Sequence, residues 1–170
     1  MKINSSGHVL VNCASLPNSS TQGAGFERKA SQTTFFVSAG DTSSATNIAE
    51  FYNTNGQVGR ILVTGSATSY NTSSDYRLKE NATAISDGIT RLKTLKPYRF
   101  NFKADADTTV DGFFAHEVQS VVPQAISGTK DEVDSDNNPV YQGIDQSKLV
   151  PLLVAALQEA IGRIEALEAK

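Results

Sequence analysis

The first 74 residues combine short apolar runs with polar turn residues and show no helical period. The runs at residues 34–37 and 60–63 hold aromatic or β-branched side chains beside polar ones, which is typical of β-strands. Asn55 and Gly56 separate two such stretches, and an Asn-Gly pair readily supplies the positive φ angles of a tight turn. The pattern predicts a β-hairpin over residues 49–64 within an all-β segment.

From residue 75 onward, helical and strand periods alternate. Ser86 is predicted to cap a helix whose apolar stripe ends at Leu95, and Pro97 stops that helix. Residues 98–103 alternate aromatic and polar side chains, as in a strand with one buried face. This part is therefore predicted to be α+β. Its other predicted segments are a polar loop at 105–111, a strand at 112–114, a helix at 115–122, paired strands at 125–128 and 140–144, and an acidic hairpin arm or loop at 130–139.

Residues 147–170 predict a long C-terminal helix whose apolar positions are spaced alternately by three and four. Pro151 places the start of the regular helix near that residue. Because the pattern covers only about two and a half heptads, two interpretations stay open. The apolar positions could form a coiled-coil seam between chains, or the helix could pack on its own domain. These positions are called the seam below: Val150, Leu153, Leu157, Ala160, Ile164 and Leu167.

The distribution of charge divides the chain near residue 74. Only seven of the 33 charged side chains lie in residues 1–74, which also hold 13 serines and nine threonines. So few large apolar side chains would bury a poor core in a monomer, and burial against other copies, as in a fibrous trimer, would correct this. The sequence therefore predicts two domains, residues 1–73 and residues 74–170.

Charge and composition also exclude several classes of partner. The net charge is −3 and no basic block occurs, which argues against nucleic acid. No apolar run is long enough to span a bilayer and no signal-peptide pattern opens the chain, so we expect neither membrane insertion nor a secretion signal. With one cysteine, Cys13, and two histidines, His8 and His116, neither a metal site nor a cofactor is predicted.

Two groups of polar residues resemble functional sites but have simpler interpretations. His116 and Glu117 are adjacent in a predicted helix and face different directions, which favours a surface or subunit contact over catalysis. Residues 134–138 resemble a calcium loop, but Pro139 stands where the sharp turn needs glycine and no glutamate closes the loop. We interpret them as a solvated hairpin tip.

A candidate nucleophile and base lie at the boundary between the predicted domains. Ser74 precedes Lys79 by five residues. A lysine in its neutral form can accept the proton of a serine hydroxyl and so activate it for attack. The spacing by itself is a weak signal, because a serine near a lysine in a solvated linker, with Ser74 capping a turn, is far commoner.

Four segments of the second part together resemble one family. They are residues 74–81, 92–102, 112–118 and 147–153, in this order. They are similar to the C-terminal intramolecular chaperone domain of phage tailspikes and tail fibres, a self-cleaving domain also classed as a serine peptidase. The resemblance covers about residues 74–170 and leaves the first part unmatched, apart from its general likeness to a fibre segment.

The resemblance implies a domain that trimerises, guides three chains into an intertwined β-structured fibre and then cuts itself off before a serine. The matching serine and lysine are Ser74 and Lys79, so the implied cleavage site is the Ser73–Ser74 peptide bond. The Ser74 hydroxyl could attack the Ser73 carbonyl in an N-to-O acyl shift, or water could attack directly. Lys79 could act within its own chain or on a neighbouring chain.

The implied protein is a cofactor-free homotrimer of the virion tail that is assembled in the host cytoplasm. Two alternative functions remain compatible with the sequence. One is a structural cap that trimerises the fibre and is never cleaved. The other is a host-receptor-binding tip, in which the hydroxyl-rich residues 1–73 recognise a surface glycan.

Overall fold

The computed structural model confirms an α+β fold made of small antiparallel sheets and few helices. It describes residues 2–5, 8–11, 23–28, 33–38 and 45–170. The chain divides into two compact units, Met1–Asn81 and Ala82–Lys170. Cys13, named above as the single cysteine, lies outside the described residues.

The described residues of the first unit form two antiparallel sheets, as the all-β prediction requires. In the first sheet Leu10 is buried, and the rings of Phe26 and Phe35 lie 4.9 Å apart on neighbouring strands. The strands of this sheet, in spatial order, are β1 (Lys2–Ile3), β2 (Val9–Val11), β3 (Gly23–Arg28) and β4 (Thr33–Ser38).

The second sheet of this unit contains the predicted hairpin. Gly56 has a φ of 105°, in the left-handed region that glycine adopts without strain. The backbone N–H of Asn55 donates to Asn53 Oδ1 at 2.8 Å, which forms an Asx turn. The hairpin prediction is confirmed. Its strands are β5 (Thr46–Asn53) and β6 (Gly56–Val63), and β6 also pairs with β7 (Thr68–Thr72).

The second unit mixes short helices with two-stranded sheets around a small apolar core. The core consists of Val118, Val122, Ala125, Leu149 and Leu152. Its elements are α1 (Gly88–Leu92), β8 (Tyr98–Phe102), β9 (Asp105–Gly112), α2 (Ala115–Gln119), β10 (Ile126–Ser127), β11 (Gly143–Ile144) and α3 (Val150–Glu168), with 3-10 turns at Pro123–Ala125 and Gln146–Leu149.

The strand predicted at residues 98–103 is confirmed as β8, but the polar loop predicted at 105–111 is wrong. Those residues form β9, which pairs antiparallel with β8, so that Phe100 lies opposite Val110. Polar side chains do not oppose this pairing because β9 is an edge strand with most of its side chains in water. The strand predicted at 112–114 is also wrong, since β9 ends at Gly112 and Phe114 is the residue before α2.

The helix predicted after Ser86 is much shorter than its apolar stripe suggested. It forms only at Gly88–Leu92, and Asp87, not Ser86, occupies the N-cap position, without a side-chain capping bond. The backbone N–H of Ile89 is satisfied instead by the carboxylate of Glu159 in α3. The helix predicted at 115–122 is likewise shortened, to Ala115–Gln119.

The return strands and the acidic arm were predicted correctly. β10 and β11 pair antiparallel, with Ile126 opposite Ile144, and an isolated bridge joins Val133 to Pro139 within the arm. At the tip, Asp134 Oδ1 accepts the backbone N–H groups of Asp136 and Asn138, both at 2.9 Å. The tip is therefore built by a side-chain turn.

The C-terminal helix α3 packs on its own unit through a face that is distinct from the seam. Leu152 and Ala156 are buried, whereas the seam residues Leu157, Ile164 and Leu167 are 62%, 53% and 67% exposed. The helix is thus amphipathic within its own unit, and most of the seam is left without a partner in the single chain. Over the described part of the chain, no helix combines the length and apolar character needed to cross a membrane.

Candidate active site

The structure brings the predicted serine and lysine into direct contact. The Nζ atom of Lys79 lies 2.7 Å from the Oγ atom of Ser74, within hydrogen-bonding distance. Both side chains are exposed, and both belong to the first compact unit, immediately after β7. The spacing of five residues therefore corresponds to a short-range contact within one chain.

A one-turn 3-10 helix at Tyr76–Leu78 places the lysine. Asp75 caps this turn, because its carboxylate accepts the backbone N–H of Arg77 at 2.8 Å. The backbone N–H of Lys79 closes the turn on the carbonyl of Tyr76 at 3.1 Å. The turn reverses the chain so that Lys79 reaches Ser74, and its cap is Asp75, not the serine.

Asp75 and Arg77 form a self-contained ion pair beside the serine and lysine. Arg77 Nε and Nη2 each lie 2.9 Å from a carboxylate oxygen of Asp75, a fork-like geometry that fits a planar guanidinium. The hydrogen bonds from the Arg77 side chain, and then from its backbone, hold the pKa of Asp75 below its ordinary value, and the charge of Lys79 adds to this. Asp75 is therefore an ionised turn-forming group whose carboxylate is already engaged.

The residue before the serine is attached to strand β6. The backbone N–H of Ser73 donates to the Val58 carbonyl at 3.1 Å, and Ser73 Oγ donates to the Gln57 carbonyl at 2.8 Å. The backbone bond extends the β6–β7 pairing by one residue beyond the end of β7, and the hydroxyl adds a side-chain bond to β6. No local sequence signal indicates this attachment, because Gln57 and Val58 lie about fifteen residues earlier and only the pairing of β6 with β7 places them beside Ser73.

An open cavity of about 390 Å³ adjoins the Ser73–Ser74 bond. Its wall is mainly polar, and it is open to solvent. It is lined in part by Gln57, Arg60, Asn71, Ser73, Ser74 and Leu78.

The other candidate residues have structural partners. Glu117 lies 3.1 Å from Lys96 and 3.3 Å from the hydroxyl of Tyr98, and the bond from Lys96, more than that from Tyr98, holds the pKa of Glu117 below its ordinary value. The ring of His116 stacks on Phe114 at a centroid distance of 6.0 Å. This agrees with a structural role for the pair.

The hairpin tip uses its carboxylate for the turn itself. Hydrogen bonds from the backbone and then the side chain of Asn138 lower the pKa of Asp134. Among the residues that the structure describes, no three metal-ligating side chains come together.

Comparison with known families finds a match to part of the chain. Residues 74–127 match the model of a peptidase family described as the chaperone of endosialidase. The match spans about a third of the chain and begins at the serine that contacts Lys79. No curated protein matches the chain.

Residues 74–127 are thus similar to an intramolecular chaperone domain, and the name of the matched family indicates a self-cleaving serine peptidase. The matched family comes from phage tail fibre and tailspike proteins, in which it forms a C-terminal chaperone domain.

Proposed function

We propose that the chain cuts its own Ser73–Ser74 bond, with Ser74 as nucleophile and Lys79 as proton acceptor. The observation that carries this proposal is the 2.7 Å contact between Lys79 Nζ and Ser74 Oγ at the first residue of the family match. A nucleophile and its base need to lie within hydrogen-bonding distance, and here one short turn provides that distance. Because the contact lies within one chain, Lys79 acts on its own serine.

The reaction begins when Ser74 Oγ attacks the carbonyl carbon of Ser73 and its proton passes to the neutral Lys79 amine. The carbon–nitrogen bond then breaks, the proton moves from Lys79 to the departing nitrogen of Ser74, and an ester joins the two parts. Water hydrolyses that ester, which gives a carboxylate on Ser73 and restores the Ser74 hydroxyl. The position of Lys79 on Ser74 Oγ favours this acyl shift over direct attack by water.

Assembly of three chains precedes the cut in this proposal. An amine accepts a proton only in its neutral form, and removal from water favours that form. Since the Ser74 and Lys79 side chains are exposed in the single chain, covering them with neighbouring chains would promote the reaction. Cleavage would then wait until the fibre has formed.

The exposed seam of α3 supports a homotrimer as the state that folds the fibre. Leu157, Ile164 and Leu167 leave an apolar face in water that other copies of α3 could cover. Intertwined β-structures need long-range pairing in the correct register, and joining the chains first raises their effective concentration. Removing the chaperone afterwards leaves the fibre kinetically trapped. We infer that residues 1–73 are the end of a tail fibre or tailspike assembled in the host cytoplasm.

Intact-mass measurement of the freshly purified full chain tests this proposal. We expect two products, the second beginning at Ser74, and an ester intermediate that hydroxylamine captures on Ser73. Ser74→Ala should leave the chain intact, whereas Ser66→Ala, at an exposed serine of the same unit, should cut normally. A wild-type chain that trimerises and stays intact would instead identify a structural cap.

A further inference from the structure

The Ser73–Ser74 bond lies where an ordered sheet meets an exposed turn. On one side, Ser73 is held by hydrogen bonds to the carbonyls of Gln57 and Val58 in β6. On the other side, Ser74 begins the turn that carries Lys79. The carbonyl of the scissile bond thus belongs to a residue whose backbone N–H and hydroxyl are both bonded to β6.

The pair preceding Ser73 in the sheet is unusually close. Gly59 lies opposite Thr72, and a Cβ added to Gly59 would lie 2.9 Å from the backbone oxygen of Asn71. Real Cβ atoms do not come this near to a backbone oxygen, so only glycine allows β7 to approach β6 at this point. Ser73 follows this pair directly, and its hydroxyl donates to the Gln57 carbonyl.

We propose that Ser73 is a positioning residue, whose hydroxyl anchors the scissile bond to β6, and that cleavage therefore requires β6 and β7 to be paired. The inference rests on the proposed self-cleavage and adds a second requirement to it. The Ser74 and Lys79 contact is made by residues five apart, whereas the Ser73 anchor joins residues 16 apart. The local contact can form early, and the anchor forms only when the fibre segment has folded.

This requirement links the chemistry to the folded state of the part that is kept. The anchor and its sheet lie in residues 46–73, on the fibre side of the bond. An unpaired β7 would leave the Ser73 carbonyl free to rotate away from Ser74 Oγ, and loss of a near-attack geometry slows a reaction steeply. Cleavage between the fibre segment and the chaperone domain would thus wait until β6 and β7 of the fibre segment have paired.

The test measures the rate of cleavage after refolding of the full chain, with Ser73→Ala, Ser73→Thr and the control Ser66→Ala. Loss of one hydrogen bond should slow Ser73→Ala by roughly three- to tenfold. Ser73→Thr keeps the hydroxyl and should cut within about twofold of the wild-type rate, a smaller change than the loss of one hydrogen bond would cause. Circular dichroism and sedimentation should be the same for all four proteins.

A Ser73→Ala chain that cuts at the wild-type rate would overturn the inference, and so would a Ser73→Thr chain as slow as Ser73→Ala. Gly59→Ala provides a second measurement that leaves both reacting residues unchanged, and it should also cut slowly. A wild-type rate in Gly59→Ala would contradict the requirement for pairing. None of these outcomes bears on the proposed function, which is overturned by changes at other residues or by a wild-type chain that never cuts.

Discussion

Glu159 in the C-terminal helix accepts a hydrogen bond from the backbone N–H of Ile89, 70 residues earlier, at a nitrogen-to-oxygen distance of 3.0 Å. Ile89 lies in the first turn of α1, where backbone N–H groups have no partner within the helix. This bond, and secondarily the contact with Arg163, lowers the pKa of Glu159. The carboxylate therefore joins α1 to α3 in its ionised form.

Glu159→Gln should lower the melting temperature near neutral pH, because an amide caps a helix start less well than a carboxylate. Since the pKa of Glu159 is lowered in the folded protein, its contribution to stability is present above the ordinary glutamate range and is lost as pH falls through the lowered pKa. The difference between variant and wild type should therefore shrink in acid. Thermal unfolding monitored by circular dichroism measures this difference in melting temperature. The control is Glu165→Gln, which changes an exposed glutamate of the same helix. An equal difference in melting temperature near neutral pH and in acid would contradict this role of the ionised carboxylate.

Lys79→Arg should fold and assemble but cut at least about a hundredfold more slowly, the usual contribution of a general base. A guanidinium keeps the positive charge but does not give up its proton near neutral pH. A time course on denaturing gels measures the rate. Lys93→Arg makes the same change at an exposed lysine and should cut like wild type. Equal rates in Lys79→Arg and wild type would remove Lys79 from the mechanism.

Replacing Leu157 and Ile164 together with aspartate should abolish both trimer formation and cleavage while the second unit stays folded. Both side chains are more than half exposed, so the single chain does not need them for its core. In a trimer they would place like charges around a common axis, which is costly. Analytical ultracentrifugation with circular dichroism measures the two effects.

The matched control for this double change is Gln158→Asp with Ala166→Asp, at exposed positions of α3 outside the seam. This control should trimerise and cut. A seam variant that remains trimeric and cuts would show that the seam is no interface, and one that unfolds would show that it belongs to the core.

Gly88→Ala should destabilise the second unit by about 1–3 kcal/mol, as overpacking in a tight contact usually does. A Cβ at Gly88 would lie 2.6 Å from the backbone nitrogen of Ala156, so α1 and α3 would have to move apart. Urea unfolding measures the loss. Gly162→Ala, where the added methyl meets nothing within 4 Å, is the control and should not destabilise. Equal stability of Gly88→Ala and wild type would contradict the close approach.

Elements with a strong local signal could be predicted from the sequence. The Asn55-Gly56 pair indicated the hairpin, because glycine is the residue that adopts a positive φ without strain. The alternation of aromatic and polar residues indicated β8, because successive side chains of a strand point to opposite faces. The contact between Ser74 and Lys79 also depends on a local turn, and Asp75 with Arg77 two residues later is the signal for that turn.

Elements that depend on distant partners could not be predicted. The polar residues of β9 have no strand period of their own, and pairing with β8 supplies their backbone partners. The start of α1 depends on Glu159, which no pattern near Ser86 could reveal. The anchor of Ser73 on β6 belongs to the same class, since it arises from strand pairing across 16 residues.

The anchor of Ser73 also determines how the proposed mature fibre would end. Ser73 is the last residue that the sheet holds, and Ser74 opens the exposed turn, so the cut would leave the new carboxylate at the sheet edge. Chain ends are poorly ordered unless they are tied down, and this end is tied through both its backbone and its side chain. A carboxypeptidase would therefore find no loose tail to trim, and the fibre would keep a uniform C-terminus outside the host.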